Sequence, residues 1–106
     1  MATLEDFKKL ELRVAEIEGV TPHPNADKLY VLDIKVGDVK KKIIAGIRKY
    51  YGEEELKGKK IIVVNNMEPA VIRGVESNGM LLAASNDEIL TLVVPERIIA
   101  DGAGVK

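Results

Sequence analysis

The chain has no cysteine, no tryptophan and no glutamine, and only one histidine among its 106 residues. Without cysteine there can be no disulfide, no thiolate metal site and no thiol nucleophile, and a cytoplasmic protein is the simplest reading. The lone His23 has Asp27 four residues on, but two ligands in a proline-flanked loop make a poor metal site, so a structural or hydrogen-bonding role is expected. Ser77 lies in Gly74-x-x-Ser77-x-Gly79, which lacks the nucleophile-elbow spacing, and a Ser-His-acid array would require His23 beside it. Walker-type and dinucleotide glycine motifs are missing. The run Glu53-Glu54-Glu55 is explained by acids complementing the dipole at a helix start. A non-enzymatic chain with no cofactor and no metal is therefore expected. Long apolar runs are also missing: Ile61–Val64 is far too short to span a bilayer, and the acidic N-terminus lacks a signal-peptide layout, so no membrane partner is expected.

Aromatics are scarce as well. Phe7, Tyr30, Tyr50 and Tyr51 are the complete set, too few for a general single-strand binder that stacks successive bases. What the chain does have is a folded composition, 46% hydrophobic and 31% charged, in a length that fits one domain over residues 1–106. The net charge of −1 hides an uneven distribution. Residues 1–39 and 61–106 each carry a net −3, whereas residues 40–60 carry a net +5. Local patches govern binding more than totals do. Lys40, Lys41, Lys42, Lys59 and Lys60 are accordingly candidates for a basic patch, with strand-edge protection as the competing explanation.

Hydrophobic periodicity predicts a short helical turn over 4–9, with Thr3 as N-cap and Asp6 three residues on. From Leu10 the pattern is β. Leu12 and Val14 alternate with charge, then Ala15 and Ile17 take the opposite parity, which predicts a bulge or strong coiling. Tyr30, Leu32, Ile34 and Val36 keep a period of two, and Gly37-Asp38 turns the chain into Val39–Ala45. A short helix within 47–58 is stopped by Gly58. Lys59–Val64 reads as a buried strand, 65–78 as a loop with a short apolar stretch, and Gly79–Ala84 and Ile89–Val94 as two further strands. The expected fold is all-β, an OB-fold five-stranded barrel with a short helix and a C-terminal apolar extension. An SH3-like barrel or a compact α+β domain fits the periodicity too. The extension, 91–106, lies beyond a closed barrel and must cover its own surface or a second copy. Leu92, Val94, Ile98 and Ile99 are the candidates for a homodimer interface.

Two polar loops stand out: His23–Tyr30 and Arg73–Met80. Arg73 offers a planar fork suited to phosphate. Ser77 and Asn78 carry short hydrogen-bonding side chains, and Gly74 and Gly79 let a backbone approach closely. Met80 offers a soft apolar face to a base or to the core, and Lys28 lies where loop meets strand. Recognition of a folded RNA's shape suits these residues.

Six segments, in order, resemble the tRNA-binding domain family, the OB-fold module at the C-terminus of many methionyl-tRNA synthetases, in EMAP-II-like proteins and in small free-standing proteins. Glu11–Ile17 resembles D-x-R-V-G-x-I, with Glu11 and Ala15 replacing the usual aspartate and glycine. His23–Leu29 matches H-P-x-A-D-x-L. Ile44-Ala45-Gly46-Ile47 resembles I-V-S-G-L, and Tyr51–Lys59 resembles Y-x-x-E-E-L-x-G-K. Asn66–Pro69 resembles N-L-x-P, and Arg73–Met80 resembles R-G-x-x-S-x-G-M. The resemblance implies binding to the outer corner of tRNA, with Lys28, Asn66, Arg73, Ser77 and Met80 as contacts. It also implies a homodimer and a role as a β-type subunit of a methionyl-tRNA synthetase whose catalytic domain lies on another chain. A CsaA-like, export-associated peptide-binding chaperone is the alternative it leaves open, and an EMAP-II-like signalling role is a third.

Overall fold

The computed structural model describes residues 1–106 and contains two short helices and ten strands. Helix α1 (Leu4–Lys8) is set by a capping box: Thr3 Oγ1 accepts from Asp6 N while Asp6 Oδ2 accepts from Thr3 N. Strand β1 (Leu12–Pro22) is the spine of the sheet. Its first half pairs with β4 (Lys60–Val64) and its second half with β2 (Tyr30–Val36). The register with β2 shifts between Ile17 and Gly19, a β-bulge that falls beyond the expected parity change at Val14 and Ala15, where pairing with β4 is unbroken. It turns Val20 onto the same core as Ala15 and Ile17.

Strand β3 (Val39–Ala45) pairs with β2 through the predicted two-residue turn, with Gly37 at φ 63°. Helix α2 (Glu53–Leu56) buries Leu56 and is followed by Gly58 at φ 82°. The core is the inner face of these strands, including Ile17, Leu32, Ile34, Ile43 and Ile61, all 1% exposed or less. Replacing any of them with alanine is the kind of change that costs about 2–5 kcal/mol.

The region expected to be a loop, 65–78, holds an antiparallel hairpin, β5 (Ala70–Ile72) and β6 (Val75–Ser77). Beyond it the chain divides more finely than the apolar pattern indicates. β7 (Met80–Leu81) pairs with β4, whereas β8 (Ala83–Ser85) pairs with β9 (Leu90–Leu92). Leu82 is the point of exchange: its N–H donates to Ile62 O and its carbonyl accepts from Val93 N. The main sheet runs β3-β2-β1-β4-β7. It closes where Asn78 N donates to Lys42 O and Ile44 N donates to Ser77 Oγ, both at 2.9 Å. This is an all-β, OB-like architecture.

The C-terminal extension is stitched to its own barrel. Gly102 N donates to Val14 O and Val14 N donates to Ala103 O. β10 (Gly104–Val105) then pairs with the start of β1. Leu92 is 6% exposed and belongs to the barrel's own core. A side chain packed inside the barrel exposes little area to a second copy. Val94, Ile98 and Ile99 are exposed.

Candidate nucleic-acid interface

The two loops singled out in the sequence meet at the end of β1, and His23 joins them. The ring is 4% exposed. Asn25 N donates to His23 Nδ1 at 3.0 Å, which leaves Nε2 as the protonated nitrogen, and Nε2 lies 2.9 Å from Ile72 O as its donor. One imidazole thus shapes the β1–β2 loop and ties it to the β5–β6 hairpin. A second tie is reciprocal: Asn25 Nδ2 donates to Arg73 O at 3.0 Å, and an Arg73 guanidinium N–H donates to Asn25 O at 3.1 Å. The expected hydrogen-bonding role of His23 is what the geometry displays.

Arg73 and Gly74 are the two central residues of the hairpin turn, with φ of 53° and 90°, as a type I′ turn demands. Arg73 is the one non-glycine residue with positive φ. Its guanidinium is exposed, has no carboxylate within ion-pair distance, and uses one of its five donors on Asn25. Across an open cleft of about 440 Å³, lined by residues 25–29 and Arg73, stands Lys28, also exposed and free of any ion pair. Asp27 is the acid on the same rim.

The other expected contacts behave differently. Ser77 is 3% exposed; its hydroxyl accepts from Ile44 N and donates to Gly79 O at 3.0 Å. It shapes the corner after β6, and its one donor is spent within the protein. Asn66 is exposed, but its amide bridges Glu11 N and Lys9 O, both at 2.8 Å. It clamps the connection from α1 to the start of β1, away from the cleft. Met80 is 44% exposed and pairs with Val64 on that same side. The structure therefore brings Lys28 and Arg73 together and leaves Asn66 and Met80 as a separate group. Asn25, not singled out in the sequence, holds the cleft. Its only sequence signal is its place inside the His23–Leu29 motif.

The five lysines do not form one patch. Period-two geometry turns Lys40 and Lys42 to the outer face, where they pair with Glu18 and Asp33. Lys41 points the other way and donates to Asn65 O at 3.1 Å. Lys60 donates to Ile99 O at 2.7 Å, on the C-terminal extension, and Lys59 lies beside it, half-buried. Strand-edge protection describes Lys40 and Lys42 better than ligand binding does.

Residues 12–103 match the family model described as "Putative tRNA binding domain". The methionine–tRNA ligases of Pyrococcus horikoshii and Caldanaerobacter subterraneus are 49% and 46% identical over 102 and 103 residues. Those alignments take in 96% and 97% of this chain, which spans only 14% and 16% of the two ligases. Two solved structures superpose over the full chain. A MetRS-related protein from Pyrococcus horikoshii has a TM-score of 0.92 at 30% identity, with 98% of its own length covered. The CsaA chaperone protein of Picrophilus torridus has a TM-score of 0.93 at 33% identity, with 100% covered. The chain belongs to the tRNA-binding domain family, as a non-catalytic domain homologous to the tRNA-binding domain of methionyl-tRNA synthetases.

Proposed function

We propose that this domain grips the folded backbone of tRNA at its outer corner and works in the cytoplasm as a homodimeric, β-type partner of a methionyl-tRNA synthetase. The observation that carries the reading is the cleft between Lys28 and Arg73, two exposed cations without carboxylate partners on loops locked by His23 and Asn25. A cation already fixed in position loses little entropy when a phosphate arrives. The guanidinium keeps four free donors for bidentate contact. Two cations on an open cleft favour phosphate, so shape and backbone govern selection.

One observation favours the peptide-binding, CsaA-like alternative. A second recess, about 460 Å³, sets Val94, Pro95 and Ile98 beside Lys59 and Arg97, a mixed surface suited to an extended peptide. Val94 and Ile98 of this recess also belong to the dimer surface on the favoured reading. Gel-shift titration of tRNA against unstructured RNA of equal length, across a salt series, separates the two. A tRNA binder holds tRNA more tightly and loses affinity steeply with salt, because phosphate contacts release counterions. Equal weak binding of both RNAs, with salt-insensitive peptide binding, moves the function to the chaperone reading.

A further inference from the structure

Arg48, Lys49 and Tyr50 form a tight turn after β3, and its presentation is unusual for a connecting segment. The turn is held at both ends by the core. Ile47 before it is 2% exposed, and Tyr51 after it packs against the core, accepting from Leu92 N on its hydroxyl and from the Tyr30 hydroxyl on its carbonyl. The amides of both Tyr50 and Tyr51 donate to Ile47 O. Between these anchors the three side chains turn outward: Arg48 is half-buried, and Lys49 and Tyr50 are exposed. The Arg48 guanidinium lies 6.0 Å from the Tyr30 ring centre, and the Lys49 ammonium lies 5.7 Å from that of Tyr50. Neither cation has a carboxylate partner. In the α2 segment that follows, Glu54 pairs with Lys57 and Glu55 accepts from Gly52 N.

The turn also adjoins the cleft. Pro22, Tyr30 and Ala45 are register partners across three strands, so the 23–29 loop and the 46–50 segment leave the same end of the barrel. Leu29 lies 3.6 Å from where a Gly46 side chain would begin. We propose that the Arg48-Lys49-Tyr50 turn is a second arm of the RNA interface. Arg48 and Lys49 hold backbone phosphates, and the exposed ring of Tyr50 stacks on an unpaired base; this rests on the tRNA-binding reading above. Together with Lys28 and Arg73, the arm supplies the cations at this end that the protein does not neutralise itself. The Lys40–Lys42 run, already paired or bonded within the protein, is excluded from that set.

The test is tRNA binding across a salt series for the wild type, Arg48→Gln/Lys49→Gln, Tyr50→Ala and the control Lys40→Gln/Lys42→Gln. In the first variant the slope of log affinity against log salt should fall by about 0.9 per cation where the contacts are to duplex, or about 0.7 where they are to single strand. Tyr50→Ala should weaken binding severalfold with the slope unchanged, and the control should match the wild type. Lys49→Gln alone, at an exposed turn position, reports on the arm even if the Arg48 change disturbs Tyr30. A wild type with steep salt dependence and Lys49→Gln and Tyr50→Ala variants that match it in affinity and slope would overturn the second arm alone. A wild type that binds no tRNA would overturn the arm together with the function it rests on.

Discussion

Arg73 occupies a left-handed backbone conformation that costs a side-chain-bearing residue roughly 1–2 kcal/mol. Asparagine would fit that turn position with less strain. A strained residue that is kept exposed, and hydrogen-bonded only through its backbone carbonyl and one N–H, is poorly explained by stability. Arg73→Asn should therefore keep or raise the melting temperature while weakening tRNA binding by about 1.5–3 kcal/mol, the range of a charge-assisted hydrogen bond. An unchanged affinity in the gel shift would take Arg73 out of the interface. Ser77 should show the opposite signature. Ser77→Ala leaves the Ile44 N–H and the Gly79 carbonyl without their partner in a buried corner, which costs about 1–3 kcal/mol of stability in a denaturant melt. A hydroxyl that touched RNA directly would instead lose affinity at constant stability. The sequence shows that Arg73, Ser77 and Lys28 are polar residues in loops. It does not show which of them is exposed, because Ser77's burial depends on Ile44, thirty-three positions away.

At the scale of elements, local chemistry carries far. The capping box of α1, the period-two strand Tyr30–Val36 and its two-residue turn all follow from neighbours in sequence, and each is present in the structure; the bulge in β1 is present too, but past the position where the apolar parity changes. The β5–β6 hairpin is not legible that way. Three-residue strands leave too few positions to establish a period, and an arginine takes the turn position where asparagine or glycine would signal a type I′ turn. The C-terminal extension has a different problem: its apolar residues indicate that it covers something but not what. Contact with its own barrel relies on two glycines. A side chain on Gly102, at φ 89°, would begin 3.0 Å from the Gly37 backbone. Gly102→Ala should pry the extension from the β2–β3 turn and lose about 1–3 kcal/mol. Amide exchange should rise most at Val14, whose N–H donates to Ala103 O. Exchange at Val14 that matches the wild type would show that the extension tolerates the added methyl group.

For the whole molecule, the net charge of −1 conceals a division of labour among its cations. Most lysines along the strands are paired with acids or carbonyls of the protein itself, whereas those at the loop end of the barrel are not. Oligomeric state belongs to this scale too. Ile98 is fully exposed and lies outside the hydrophobic core, beside exposed Val94 and Ile99. On the homodimer proposed above, Ile98→Asp should give a folded monomer by light scattering, because a buried charge in each half of a symmetric interface is costly. A folded dimer of unchanged mass would place the interface elsewhere.

The two ends of the chain come together at one place. Asn66 pins the backbone on either side of Leu10, and Val105 pairs with Leu12, so both termini emerge beside the start of β1, whereas the Lys28–Arg73 cleft lies past its far end. On the reading proposed above, a protein joined at either of these ends lies away from the Lys28–Arg73 cleft. Moving a carrier protein from one end to the other should leave tRNA affinity the same, a form of portability set by the direction of a single strand.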